Sequence, residues 1–365
     1  MSDRTSFDVI ASTGRYTVEI ASGLLAGIAG DGRDRVFIAD DFIVPVLAAA
    51  GLDPIAILAD EPAKSLDRMT DIIVALRERG ATRTTTLVAV GGGVVQDIAA
   101  FAASVYMRGI RWIYVPTTLL SMADSCIGGK SSINVGNYKN IVGTIHPPAT
   151  VLIDPPLTRT LSAEQRAAGL IEAAKICFCR STATFDDYLR LSPGVLADDV
   201  ALAQILDLSL RTKKWFIEID EFDRAERLIL NFGHTFGHAI EAASGFGVGH
   251  GVAVGLGMAA ALELGEAMGR DYGATPAVAR LRAHIADLLN AVPGLSAALD
   301  RTTPAALLDA FCSDKKHSRS HFAVIIVSAV GAVERVMMTR DSGSTALVEQ
   351  AFAAVVARYA TAPVA

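Results

Sequence analysis

The chain has seven histidines, and three of them fall between positions 234 and 250. The stretch NFGHTFGHAIE, residues 231–241, sets His234 and His238 four apart in an otherwise apolar run, and GHGVAVGLGM then brings His250. On a helix, residues four apart share a face, which is how two imidazoles of a metalloprotease helix reach one ion. Thr235 stands where that motif has its glutamate base, so the motif is a different one. A further ligand must then come from His250 or a carboxylate elsewhere. In GLIEAAKICF, Glu172 lies three residues from Lys175 on an apolar helix. A carboxylate taken out of water is costly without a cation or metal beside it. Satisfied core histidines are the plainer reading, but the spacing favours a metal. It leaves open which of the three histidines take part. Three protein ligands with open positions would make the site catalytic.

Two kinds of region position these residues. Residues 1–158 read as an α/β, Rossmann-like domain with a parallel sheet, and 159–365 as a mainly α-helical domain. RVFIAD (35–40), PIAILAD (54–60), TTTLVAVGGG and IRWIYVPTT are β-rich runs. They alternate with the helical FIVPVLAAAGL and SLDRMTDIIVALRERG. Strands alternating with helices imply a parallel sheet covered on both faces. From LSAEQRAAGLIEAAK onward the pattern is helical, with Ser162 and Gln165 spaced as a capping box. Further helices are expected at about 184–191, 198–219, 231–243, 250–271, 276–291 and 303–312. A hairpin turning near Gly331 and a last helix follow. The boundary near 156–160 carries no linker composition and reads as a packed hinge, the kind of crevice ligands favour.

LVAVGGGVVQD is strand, three glycines, helix. Gly91, Gly92 and Gly93 would let backbone N–H groups approach a pyrophosphate at a helix N-terminus. Gln96 occupies the place of a third spaced glycine, so the dinucleotide fingerprint is incomplete. A tight turn with no ligand is the other reading. Asp97 is a candidate ribose contact. Between 107 and 140, Arg108, Asp124, Lys130, Asn134, Lys139 and Asn140 crowd into loops around the apolar TTLLSMA. Lysines beside glycine pairs suit anion binding.

Composition narrows the field. The formal net charge of -6 argues against a nucleic-acid grip, which needs a clustered basic face. The longest apolar run, FAVIIVSAVGAV, is too short to span a bilayer, and MSDRTSFDVIAS lacks the pattern of a signal peptide. The four cysteines read as reduced thiols. A cytoplasmic protein is expected.

Taken together, DEPAKS, GGGVVQD, YMRG, VPTTLL, DSCIGGKSSIN, YKNIVG, IEAAK, RLILNFGHTFGHAIE and the terminal DKK resemble the 3-dehydroquinate synthases and related sugar phosphate cyclases over nearly the whole chain. The resemblance implies a divalent metal, usually zinc with cobalt as a second candidate, on Glu172, His234 and His250. It places His238 on the substrate and its phosphate. It implies substrate or catalytic roles for Arg108, Asp124, Lys130, Asn140, Lys175, Lys213, Arg227, Asn231 and one or both of Lys315 and Lys316. NAD would lie against Asp40, Glu61, Lys64, Gly91, Gly92, Gly93, Asp97, Thr117, Thr118 and Lys139. A homodimer is implied, with Arg108 reaching the partner's site.

The reaction such a set implies is a lyase reaction in which NAD is regenerated. A hydroxyl of a seven-carbon sugar-acid phosphate is oxidised transiently, phosphate is eliminated, the ketone is reduced again, and an intramolecular aldol closes the ring. NVGNYKN in place of an NTPLGKN-like loop, SSIN for TxIN, and Val252 after HG depart from the commonest dehydroquinate synthase wording. The first is reminiscent of cyclases acting on other heptulose phosphates. Lys213, Arg227, Asn231 and His238 fit 3-deoxy-D-arabino-heptulosonate 7-phosphate, with sedoheptulose 7-phosphate the alternative. A metal-dependent polyol dehydrogenase is a more distant rival.

Overall fold

The computed structural model describes residues 4–30, 34–136, 138–192 and 194–360. The chain forms two compact units. The first comprises Met1–Leu161 and Gly194–Phe222, the second Ser162–Pro193 and Asp223–Ala365.

The first unit opens with the hairpin β1 (Thr5–Ala11) and β2 (Gly14–Ile20), followed by α1 (Leu24–Ala29). Strands β3 (Arg35–Asp40), β4 (Ile55–Ile57), β5 (Thr86–Gly91) and β6 (Trp112–Pro116) alternate with α2 (Val44–Ala49), α3 (Leu66–Glu78) and α4 (Gly93–Val105). The small hairpin β7 (Ile133–Val135) and β8 (Tyr138–Val142) precedes β9 (Thr150–Ile153). Seven strands form one sheet in the order β1-β2-β9-β6-β5-β3-β4, parallel except for β1. Phe37, Ala39, Val88, Val90, Ile113 and Val115 alternate along their strands and pack on Leu25, Ile28 and Leu47, while α4 packs against β5 and β6. The expected four-strand alternation is present. The hairpin β1–β2, the hairpin β7–β8 and β9 add to it.

After β3 the chain moves outward to β4 and then returns to the other side of β3 as β5. This reversal is a topological switch point, where the carboxyl ends of neighbouring strands part and leave a crevice. Asp40 ends β3 on one side of it and Gly91 ends β5 on the other.

Helices α5 (Ala163–Arg180) and α6 (Thr182–Leu191) begin the second unit, and α7 (Asp199–Ile219) belongs to the first. The division expected at 158/159 therefore differs from the compact units mainly in residues 194–222. Ser162 closes the capping box with Gln165 at the start of α5, a feature worth about 1 kcal/mol. A 3₁₀ turn, Glu226–Asn231, leads into α8 (His234–Ala243), so the helix expected from 231 starts three residues later. Gly233 at its N-cap has φ +80, which favours glycine.

Helix α9 (His250–Ala267) is apolar all round and buried along most of its length, as befits a helix enclosed by others. It packs on α8, α5, α10 (Pro276–Asn290), α13 (Ser342–Tyr359) and the hairpin strand β10 (His321–Val327). The short α11 (Leu295–Leu299) and α12 (Pro304–Cys312) lie before that hairpin, whose second strand is β11 (Val333–Thr339). Its turn carries Gly331 at φ +83, near the expected position. Among the described residues no helix is long and apolar enough to cross a membrane.

Helices α8 and α9 meet backbone to backbone. A Cβ on Gly257 would stand 1.9 Å from the Gly233 carbonyl oxygen and 2.7 Å from the Gly237 nitrogen. Neither neighbour is a flexible side chain, so the helices would have to separate. Gly257→Ala is expected to lower the unfolding free energy by at least about 1–3 kcal/mol, the usual cost of overpacking, read as a lower urea midpoint at unchanged slope.

Candidate functional site

Three helices of the second unit converge on one carboxylate. Glu172 in the middle of α5 is fully buried, and one oxygen, Oε2, accepts from the ammonium of Lys175 one turn later. The other, Oε1, is buried and has no hydrogen-bond partner. It lies 4.0 Å from His234 Nε2 at the start of α8 and 3.8 Å from His250 Nε2 at the start of α9. One ligand atom from each residue falls within 4.8 Å of the others. Ligands about 2.1 Å from a common ion would stand at comparable separations. An orphaned buried oxygen facing two imidazole nitrogens is a donor set that would fit a divalent cation preferring nitrogen and oxygen.

The far sides of the rings are engaged as metal imidazoles usually are. His250 Nδ1 is 3.1 Å from Glu241 Oε2, and His234 Nδ1 is 3.4 Å from the Phe232 carbonyl. Burial and the nearby Lys175 hold His234 well below its usual pKa, so its ring is neutral, the form a metal ligand needs. Burial also acts to lower His250, but the Glu241 hydrogen bond, with the charges of Glu241 and Glu172, outweighs it and raises the ring. His238, Glu241 and His250 form a second close group. The hydrogen bond that His250 Nδ1 donates to Glu241 explains that proximity, leaving Nε2 to face Glu172.

His238 faces a different neighbour. Its Nδ1 is 3.3 Å from Asp314 Oδ2 and 3.5 Å from Lys316 Nζ, and Lys316 is itself 3.1 Å from Asp314 Oδ2. Burial acts to raise the Asp314 carboxyl, but the His238 bond and the Lys316 ammonium prevail and hold it below the usual carboxylate range. The structure groups Lys316 with His238, while Lys315 is exposed. Asp314 and Glu241, which orient two of the histidines, were not among the expected site residues. The quoted DKK contained the first of them. Arg227 is buried in the 3₁₀ turn before α8, where Asn231 Nδ2 donates to the Leu228 carbonyl at 3.0 Å.

In the first unit, the residues expected to hold a nucleotide gather at the carboxyl ends of parallel strands. Asp40 ends β3, Glu61 and Lys64 follow β4, Gly91 ends β5 with Gly92 and Gly93 after it, and Thr117 and Thr118 follow β6. A Cβ on Gly91 would meet Val95 Cγ2 at 2.6 Å and one on Gly92 would meet Thr118 Cγ2 at 2.9 Å, whereas Gly93 faces open space. Two of the three glycines thus have packing reasons, and the third leaves the helix N-terminus clear. Lys64 bridges Asp97 at 3.1 Å and Glu61 at 3.4 Å. Asp97 also accepts from the Ser132 amide at 3.0 Å, and Asn134 Nδ2 donates to Glu61 at 2.8 Å. This network ties the β7 strand to the strand ends. Lys130, Lys139 and Asn140 are exposed on the same segment, with Asn140 at φ +56 and its amide held by Asn134 at 2.9 Å.

Asp124, expected in a loop, lies in a π-helical turn, Ser121–Ser125. Buried Lys213 on α7 donates to both its side-chain Oδ1 and its carbonyl at 2.6 Å. Arg108 is exposed at the end of α4, in a turn where Met107 (φ +49) and Arg108 (φ +71) both adopt the left-handed conformation. Consecutive non-glycine residues in that region store strain, and such strain gathers at functional positions. Among the cysteines, Cys126, Cys177 and Cys179 are buried, and burial pushes the Cys126 and Cys179 thiols up to about 12, so neither is a nucleophile at neutral pH.

Residues 54–168 match the sequence model of the 3-dehydroquinate synthase N-terminal domain, and residues 169–317 that of its C-terminal domain. The chain belongs to the 3-dehydroquinate synthase family. The 3-dehydroquinate synthase of Xanthomonas axonopodis pv. citri (strain 306) is 36% identical over 345 residues, covering 87% of this chain and 91% of that protein. This makes the chain an enzyme of the lyase class that the family name describes. Solved cyclases share its fold. A 2-deoxy-scyllo-inosose synthase, complexed with carbaglucose-6-phosphate, NAD+ and Co2+, has a TM-score of 0.82 at 23% identity over 95% of this chain and 100% of that one. The 2-epi-5-epi-valiolone synthase ValA of Streptomyces hygroscopicus subsp. jinggangensis 5008, with NAD+ and Zn2+ bound, has a TM-score of 0.77 at 25% identity over 94% of this chain and 97% of that one.

Burial raises the Asp97 pKa from 3.8 to about 6, with Lys64 pulling the other way. The folded chain therefore binds this proton more tightly than the unfolded one, and stability from this group falls as pH rises from about 4 to 6. A carboxyl-carbon titration should show a midpoint of about 6, and Lys64→Met should move it higher. A midpoint near 4 would contradict the burial argument.

Proposed function

We propose that the chain is a 3-dehydroquinate synthase, converting 3-deoxy-D-arabino-heptulosonate 7-phosphate to 3-dehydroquinate with release of phosphate. The observation that carries this reading is the unpartnered Glu172 Oε1 facing two imidazole nitrogens in a chain 36% identical to a curated synthase of that name. Glu172, His234 and His250 would hold a divalent ion, zinc or cobalt, and Asp40, Glu61, Lys64, Gly91, Gly92, Gly93, Asp97, Thr117, Thr118 and Lys139 would hold NAD. Once bound, these groups supply Lewis-acid polarisation of a hydroxyl and a reversible hydride acceptor.

The chain's own side chains do the rest. Lys175 pairs with Glu172 Oε2, which holds the carboxylate with Oε1 turned toward the two imidazoles, as a metal there would require. Asp314 fixes the His238 ring by its Nδ1, which leaves Nε2 to bind a phosphate oxygen or carry a proton. Lys316 adds a cation at the same place, and Arg227 and Asn231 extend the anion-binding set. Lys213 is the cation for the substrate carboxylate, and Asp124 accepts a hydrogen bond from a substrate hydroxyl. Lys130, Asn140 and Arg108 complete the polar contacts. The strained, exposed turn of Arg108 supports a homodimer in which that arginine serves the partner's site. A cytoplasmic place in aromatic biosynthesis accords with this activity.

The NVGNYKN loop and the 25% identity to ValA favour sedoheptulose 7-phosphate as the second reading. Parallel assays of both heptulose phosphates with NAD and zinc, following phosphate release, separate the two. Turnover of the sugar acid alone is expected. Turnover of sedoheptulose 7-phosphate alone transfers the assignment to the second reading, and steady accumulation of NADH would indicate a dehydrogenase.

Ligand assignment is checked by metal content. Glu172→Gln and His250→Ala should each lose bound zinc by elemental analysis and lower turnover by at least about a thousandfold. His238→Ala should keep nearly full zinc while turnover falls about a hundredfold. Zinc loss in the His238 variant would reverse the ligand assignment.

A further inference from the structure

Gln96 interrupts the glycine pattern of LVAVGGGVVQD, and nothing in the nucleotide or metal sets uses it. It is 5% exposed on the first turn of α4, and both ends of its amide are engaged by Ser125. Nε2 donates to the Ser125 carbonyl at 2.7 Å, and Oε1 accepts from the Ser125 hydroxyl at 2.6 Å. A carbonyl only accepts, so the amide nitrogen must face it, and the orientation of the side chain follows.

Ser125 closes the π turn that carries Asp124. In such a turn the usual i→i+4 bonds are broken, and freed carbonyls need donors from outside. Three consecutive carbonyls obtain them. Ala123 accepts from the Ser209 hydroxyl at 2.9 Å, Asp124 from Lys213 at 2.6 Å, and Ser125 from Gln96. Ser209 and Lys213 hold the turn to α7, while Gln96 holds it to the helix whose first residues are the open glycine N-terminus. A glycine at position 96 would remove that last tie.

We propose that Gln96 and Ser125 form a positioning pair that sets Asp124 relative to the glycine turn and thereby controls the oxidation-elimination sequence. This rests on the reading of Asp124 as the carboxylate for a substrate hydroxyl. A catalytic group misplaced by about 1 Å loses on the order of a hundredfold, so a partial loosening should show in turnover.

The test compares Gln96→Met, which keeps the length of the side chain but neither bond, with Ser125→Ala and the double variant. Each single variant should lower kcat/KM for phosphate release by about tenfold, mainly in kcat. The double variant should be no worse than Gln96→Met alone, because Gln96→Met already removes both bonds, including the hydroxyl bond that Ser125→Ala breaks. NAD affinity by titration should stay close to wild type, and the melting temperature should fall by no more than about a few degrees, so the fold is intact at the assay temperature. A Gln96→Met variant within about twofold of wild type, or losses that multiply in the double variant, would overturn the proposal. So would a fall in turnover that merely tracks lost NAD binding or lost fold. If the wild-type protein turns over neither heptulose phosphate, the functional reading fails separately. Amide hydrogen exchange then decides the pair: Gln96→Met must loosen residues 121–126 while β5 stays protected, and unchanged protection of 121–126 refutes it.

Discussion

A fully buried carboxylate with one oxygen unpartnered sets the terms for the helical unit. Leaving such an atom unpaired costs about 1–3 kcal/mol or more. Glu172 is therefore placed against the interests of stability, and the surrounding sequence is arranged to keep it there. Lys175 answers one oxygen from the same helix. The imidazoles of His234 and His250 are brought to the other by the approach of α8 and α9, which Gly233, Gly237 and Gly257 permit. Larger residues in that seam would part the two histidines. Packing and chemistry are thus the same constraint seen from two sides.

The orientation of the three imidazoles is settled one layer further out. Glu241 and the Phe232 carbonyl hold the rear nitrogens of His250 and His234, while Asp314 turns His238 toward Lys316. Three histidines from α8 and α9, with ring centroids 5.3 to 5.8 Å apart, thereby acquire different partners. Spacing along the helix cannot supply that distinction. The partners that enforce it can.

What could be read from the sequence follows from how local each signal is. Helical periodicity and the capping box of Ser162 and Gln165 mark α5, and apolar strands separated by helices mark the parallel sheet. The metal candidates were legible because histidine is scarce and a carboxylate in IEAAK needs an explanation. The hairpin β7–β8 escaped notice because four of the five residues of β8 are exposed and show no alternation. The hairpin β1–β2 does alternate, with Phe7, Val9, Tyr16, Val18 and Ile20 inward, so its signal was present. Asp314, Glu241, Ser209 and the Gln96–Ser125 link depend on side chains meeting across long stretches of chain, or on exact ring geometry. No spacing rule announces those. The packing roles of Gly91 and Gly92 likewise emerge only when Val95 and Thr118 are in place.

Helix α7 groups with the sheet although two helices of the other unit precede it in the chain. Its Ser209 and Lys213 hold the turn that bears Asp124. The two units are therefore interleaved along the gene. A fragment ending near 158 would keep the glycine turn but lack the lysine that meets Asp124, and a graft of the helical part from a relative must be made in two pieces. Recombination between cyclases at a single crossover is consequently an unpromising route to new specificity here, and exchange of short loops within a unit is the better one.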